Sequence, residues 1–172
     1  FTTQAVSRKK IKDGIVKLSG LDIEFRTLHP NLDQVRIIPK KTHYVLEVIY
    51  SQPEIQSDVN PNYIAGIDLG LDNLASVASN KPGFTPILVN GRSVKSTNQF
   101  YNKEKARLQS CLPKQHFTSA RIERLTDKRN RRVQHELHVA SRTIIDCLIE
   151  EQIGTIVIGK NPGWKQSIRM GD

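Results

Sequence analysis

The chain predicts an α/β protein with a small β-rich part in front, on three observations. Short runs rich in Val, Ile and Tyr fill residues 1–52, separated by turn-forming residues. From Tyr63 onward the apolar segments change to a β-β-β-α-α-β order. One apolar stripe then recurs at helical spacing through Ile122, Leu125, Val133, Leu137, Ala140, Ile144 and Leu148.

In the front part, Gly14–Leu18, Leu21–Thr27, Gln34–Pro39 and His43–Tyr50 read as strands. Ser19-Gly20, His29-Pro30-Asn31 and Lys40-Lys41-Thr42 are the turns between them, and the last makes a hairpin of its flanking runs. Four strands this short suit a small barrel-like domain or a sandwich. Ser51–Asn62, with Pro53 and Pro61, holds a linker placed at 53–62. The rear part, 63–172, starts with strands near 63–69, 73–78 and 85–90. A helix follows from about Ser96 to Leu108, and Pro113 separates it from a second that starts at Thr118 or Ser119. The second helix, about 34 residues, would span ~50 Å. It is expected to end near Gln152-Ile153-Gly154, with the glycine in a left-handed terminus. Thr155–Ile158 then reads as a strand parallel to the first. Three strands, helices and a further parallel strand are the chain order of a ribonuclease H-like domain, here with a helical insertion over 96–152. In open α/β sheets the ligand site lies beyond the carboxyl ends of the parallel strands. Asp68 and Gly159-Lys160-Asn161 fall on that rim.

The charge is concentrated rather than spread. The 172 residues carry a net +9, with a pI near 9.7. Between Arg92 and Arg142 stand thirteen basic residues against four acids, which is the whole net charge. Such a concentration is the electrostatic footprint of a polyanionic partner. Its candidate contacts are Arg92, Lys95, Lys103, Lys105, Arg107, Arg121, Arg124, Lys128, Arg129, Arg131 and Arg132. The bland alternative is a solvated helix face. Hydrophobic content of 37% supports a core, and no apolar run approaches the ~20 residues of a membrane span. Cys111 and Cys147 lie far apart with no CxxC spacing, which suits a reduced, cytoplasmic chain.

Asp68 is the leading candidate for chemistry. In YIAGIDLGLDNLASVA it closes an apolar run that reads as a central strand covered on both faces. An acid there is costly unless a metal or cation neutralises it. Gly70 would leave room for a phosphate just past it. The alternative is a strand-end Asp that caps the turn at Asp72-Asn73. A two-metal nuclease needs further carboxylates, with the metal ions ~3.5–4 Å apart. Asp72 and Asp146 are possible substitutes for the second, because the last strand is followed by Gly159-Lys160-Asn161 and no acid. The same strand is similar to the first phosphate loop of actin- and Hsp70-like ATPases, but Leu71-Asp72 would repel a nucleotide phosphate. His135 and His138 are three apart on one helix without a third ligand at matching spacing. Trp164 suits stacking on a base or burial against the strand end. No Walker loop, GxSxG, HExxH or Rossmann fingerprint is present.

Together, GIDLGLDNLASVAS, NGRSVKSTNQFYNKEKARLQS and RIERLTDKRNRRVQHELHVASRTIIDCLIEEQIGTIVIGKN followed by WKQ resemble the transposon-encoded TnpB family. These are the OrfB-type proteins of insertion sequences, relatives of the type V CRISPR effectors. The front part, with GIVKL and QVRIIPKKTHYVLEVIYS, is similar to that family's wedge domain. The resemblance implies a RuvC-like, Mg²⁺-dependent nuclease that binds a guide RNA and cuts target DNA. Asp68 matches its first catalytic acid and metal ligand. The basic helices would lie near the guide–target heteroduplex, with Lys160 and Lys165 near the active-site rim. Where most of the family has a catalytic Glu, this chain has Gly159. The last catalytic Asp, the zinc-ribbon cysteines and the N-terminal recognition region are not found, so zinc is not expected. The expectation is therefore a truncated, bacterial or archaeal member that binds nucleic acid and is catalytically incomplete. A non-catalytic RNA- or DNA-binding module is the alternative.

Overall fold

Alternation along β5 (Asn60–Leu69) organises the larger unit. Ala65 and Ile67 are buried, whereas Ile64, Gly66 and Asp68 are exposed. Successive strand residues face opposite sides, so one face of the sheet is packed and the other open. The sequence predicts a strand covered on both faces, and this is corrected: the apolar run is interrupted by glycine and by the acid, and in the structure of the described residues only Ala65 and Ile67 of it are buried. The computed structural model describes residues 1–29 and 31–159. It contains two units, Phe1–Ile55 and a second that starts at Gln56.

In the first unit a single turn of 3-10 helix (Thr3–Ala5) and α1 (Arg8–Lys12) precede β1 (Ile15–Lys17) and β2 (Glu24–Arg26). Neither helical piece is predicted by the sequence, because five residues are too few for an amphipathic period to register. A second antiparallel pair follows, β3 (Leu32–Pro39) and β4 (Tyr44–Tyr50), joined by a turn over Lys40–His43, one residue longer than the expected Lys40-Lys41-Thr42. Val6, Val16, Leu18, Leu32 and Val35 form one buried cluster. The barrel-like expectation is corrected: among the described residues the four strands make two separate two-stranded ladders, and no barrel closes.

The second unit carries a four-stranded sheet in the order β7-β6-β5-β8, with β6 at Asn73–Ser79, β7 at Ile87–Asn90 and β8 at Ile153–Ile158. β5 pairs antiparallel with β6 and parallel with β8, as the segment order predicts. β5 starts at Asn60 rather than Tyr63, since the Asn60 amide donates to the Gln152 carbonyl (2.8 Å) and lengthens the ladder. Between β7 and β8 run α2 (Arg92–Ser110) and α3 (Ala120–Glu150). Asn90 Oδ1 accepts from the Arg92 amide (2.8 Å), which starts α2 four residues before the predicted Ser96. Ser119 caps α3, its hydroxyl accepting from the Ile122 amide. At 31 residues α3 is about 46 Å long.

The carboxyl half of α3 covers the sheet. Ile144 and Leu148 join Ala65, Ile67, Ala75, Val77 and Ile153 in one core. Lys81 fastens the end of α3, its Nζ donating to the Glu151 carbonyl oxygen (3.0 Å) and to Glu151 Oε2 (2.6 Å). A cation there also suits the negative end of the helix dipole. The predicted glycine terminus is corrected. Gln152, at φ +54°, takes the left-handed position, while Gly154 lies inside β8. A Cβ on Gly154 would stand 2.8 Å from the Asn60 carbonyl carbon and oxygen, so the glycine serves strand approach.

Candidate nucleic-acid interface and the Asp68 rim

The parallel pair brings Asp68 and Gly159 to one edge. Ile67 is registered with Ile158, and the Gly159 amide donates to the Ile67 carbonyl (3.1 Å). Asp68 itself pairs with Ser76 on β6. It belongs to the open face, so its carboxylate is exposed and does not bear the desolvation cost expected of a doubly covered strand. Gly66, Asp68, Ser76, Leu88, Val157 and Gly159 bound a shallow, mainly apolar trough of about 520 Å³. A second groove, about 410 Å³, runs from Asp68 through Gly70 to Asn73.

Gly70 has a local reason. A Cβ there would meet the Asn73 carbonyl oxygen at 2.8 Å, so the tight turn itself requires the glycine. The β5–β6 turn is braced from α2. The Gly91 amide donates to the Asp72 carbonyl (2.9 Å), and Lys95 Nζ donates to Asp72 Oδ1 (2.6 Å). The hydrogen bond and charge of Lys95 hold the Asp72 carboxyl below the usual carboxylate range. Asp72 is thereby committed to Lys95. Asp146 accepts from Arg142 Nε (2.8 Å) on α3, the helix that covers the opposite face of the sheet. Asp72 lines the same groove as Asp68 but is engaged by Lys95, whereas Asp146 lines neither groove at Asp68. Among the described residues no group of three or more His, Cys, Asp or Glu side chains is placed to hold a metal, His135 and His138 included.

The basic residues divide by environment. Arg107 is bound by Glu104 through its Nε and Nη2, which lowers the Glu104 pKa and raises that of Arg107. Arg92, Lys103, Arg121, Arg124, Lys128, Arg131 and Arg132 are exposed. Lys105 and Arg129 are half-buried, and both lie over the Tyr101 ring (5.8 and 5.5 Å to its centroid). Arg129 is further held by Asn98 Oδ1 (2.7 Å) and Asn130 Oδ1 (2.8 Å), both neutral acceptors. Lys160, Trp164 and Lys165 lie outside the described residues. Sequence reasoning singles out Trp164 as the aromatic of interest and misses Phe100 and Tyr101. The available signal is their place inside the Lys- and Arg-rich segment NQFYNKEKAR.

A family model described as "OrfB_IS605: Probable transposase" matches residues 47–165, more than two thirds of the chain. The chain belongs to this family. It is the OrfB-type, TnpB family that the sequence motifs resemble. The fold also matches two solved structures. One is titled "Cryo-EM structure of the Cas12f1-sgRNA-target DNA complex" (TM-score 0.56, 21% identity, 70% of this chain and 25% of the other). The second is titled "Cryo-EM structure of CRISPR-Cas12f Ternary Complex" (TM-score 0.50, 20% identity, 79% of this chain and 29% of the other). This OrfB-family chain thus spans between a quarter and a third of those proteins. No curated protein sequence matches it. Among its described residues no helix is long and apolar enough to cross a membrane.

Proposed function

We propose that this OrfB-family chain is a nucleic-acid-binding portion of a transposon-encoded, RNA-guided DNA endonuclease. The observation that carries this reading is the parallel β5–β8 pair with Asp68 at its carboxyl rim, in one unit with two helices that carry twelve basic residues against six acids. In this reading the four-stranded sheet and helices are part of a ribonuclease H-like, RuvC-type domain of the cytoplasm. The front hairpins belong to a wedge domain. Asp68 is the first catalytic acid. Guide RNA and target DNA are the partners, in keeping with the similar Cas12f1 structure, which was solved with sgRNA and target DNA.

The expected Mg²⁺ does not fit the described residues. Hydrolysis by metal pairs uses several converging carboxylates. Among the described residues Asp72 shares the groove of Asp68 but is held by Lys95, Asp146 lies on the helix behind the sheet, and no third ligand completes a group. These residues support no cleavage step. They do support binding: Arg124, Lys128, Arg131 and Arg132 display charge along α3, where they would neutralise backbone phosphates. A second reading is a basic RNA- or DNA-binding module without turnover, which the exposed charge along α3 serves equally well.

The test is an assay of binding and Mg²⁺-dependent cleavage, with candidate guide RNA and matching DNA, on the chain and its Asp68→Ala variant. Binding without cutting is the expected result for both proteins. Cutting that disappears in Asp68→Ala would show that the chain assembles a complete site. Absence of binding by folded protein at low salt would end both readings.

A further inference from the structure

A narrow cleft between α2 and α3 combines three features that the surrounding charged surface does not. It encloses about 280 Å³, close to the lower end of the ~300–1,000 Å³ typical of ligand pockets. Lys128, Arg129 and Arg132 line it, and among the described residues no acid does. Two aromatic rings, Phe100 and Tyr101, line it as well, and Phe100 is 63% exposed. The third feature is Thr97. This residue is only 9% exposed and lines the same cleft, and its Oγ1 has no hydrogen-bond partner among the described residues.

Each feature excludes a bland account. A helical threonine ordinarily can return its hydroxyl to a carbonyl one turn back, as Thr126 does to Ile122 (2.9 Å) and Thr143 does to Val139 (2.9 Å). Thr97 makes no such bond, and a buried polar group without a partner is costly. An exposed Phe that faces Lys128 and Arg132 across a cleft gains nothing from water, but it offers a stacking platform to a flat ring. Arg129 is fixed by Asn98, Asn130 and Tyr101, none of which cancels its charge. Tyr101 is in turn set by its hydroxyl contact with Thr126 Oγ1 (3.1 Å), which ties the two helices at this point.

We infer that the α2–α3 cleft binds one unstacked nucleotide of a single-stranded nucleic acid. Its base stacks on Phe100, and the Thr97 hydroxyl meets a polar atom of the base edge. Lys128 and Arg132 hold the adjoining phosphates, with Arg129 as a positioned cation beside them. The inference rests on the nucleic-acid-binding reading above and gives it a specific contact point. The nucleotide can belong to an RNA or to a displaced DNA strand, since both present the same base faces and phosphates.

The test measures binding of the full chain to short homopolymeric ribo- and deoxyribo-oligonucleotides, and to an abasic oligonucleotide of equal length. Phe100→Ala should weaken binding of the base-bearing oligonucleotides about tenfold. It should leave the abasic one unchanged. Lys128→Gln with Arg132→Gln should weaken all of them and reduce the salt dependence. Thr97→Val, of similar shape, should alter the order of preference among the bases without loss of helix content by circular dichroism. A Phe100 effect with ribo-oligonucleotides alone would assign the source as RNA, and with deoxyribo-oligonucleotides alone as DNA. Equal losses with base-bearing and abasic ligands, or none in a folded variant, would overturn the nucleotide cleft while leaving general binding intact. No binding by the unaltered chain to any oligonucleotide at low salt would overturn the parent reading with it.

Discussion

The two halves of α3 carry one apolar stripe but meet different surroundings. Toward the carboxyl end, Ile144 and Leu148 sink into the sheet core, Leu148 to 1% exposure. In the middle, Leu137 on the same stripe is 48% exposed. The amino half meets α2 through the Tyr101–Thr126 and Asn98–Arg129 contacts, and Arg124, Lys128, Arg131 and Arg132 on it are exposed. The difference shows that a helical period sets which residues share a face, not which part of that face finds a partner. One half is structural and the other is a charged surface on a structural rod.

Truncating the stripe at two points tests this contrast most sharply. Leu148→Ala should lower unfolding free energy by about 2–5 kcal/mol, as other buried leucines do. Leu137→Ala should cost less than about 0.5 kcal/mol, the usual range for exposed positions. Denaturant titration of both variants reads the contrast, and equal losses would mean that the middle of the stripe is also covered. The amino half is tested by changing Arg124, Lys128, Arg131 and Arg132 together to Gln. The slope of log affinity against log salt should fall by about three, at roughly 0.7–0.9 for each phosphate no longer neutralised. An unchanged slope would remove phosphate binding from this face.

A smaller effect is expected where α3 hands the chain to β8. Gly154→Ala places a methyl against the Asn60 backbone, and overpacking of this kind costs about 1–3 kcal/mol. Loss of amide protection at Asn60 and Ile153 in hydrogen exchange should accompany it. The smallest change concerns the exposed Asp72–Lys95 pair, whose effect on stability is expected within the small range of surface ion pairs. The Asp72 carboxyl is depressed in the fold, so its contribution is present above the ordinary aspartate pKa and is lost as pH falls through the folded value. Carboxyl NMR titration should show Asp72 moving back up toward the ordinary range in Lys95→Met. An unmoved titration would assign the shift to something other than Lys95.

Most of the secondary structure is legible in the sequence because its signals are local. The hairpin around Lys40–His43, the β-β-β-α-α-β order and the Ser119 start of α3 all follow from turn chemistry, period and capping. Local signals mislead where spatial neighbours override them. Gly154 looks like a helix terminus until Asn60 is found against it.

Residue identity and order are sufficient to establish the family, through its motifs, and the concentration of charge between Arg92 and Arg142. They also set Asp68 at the end of its strand. That Asp68 opens onto an uncovered sheet face, that Lys95 engages Asp72, and that Asp146 lies behind the sheet emerge only in three dimensions. The same holds for Thr97, Phe100 and Lys128, which come together around one cleft. Those outcomes depend on which faces of separate elements meet, and burial, charge pairing and cavity shape exist only once those faces have met.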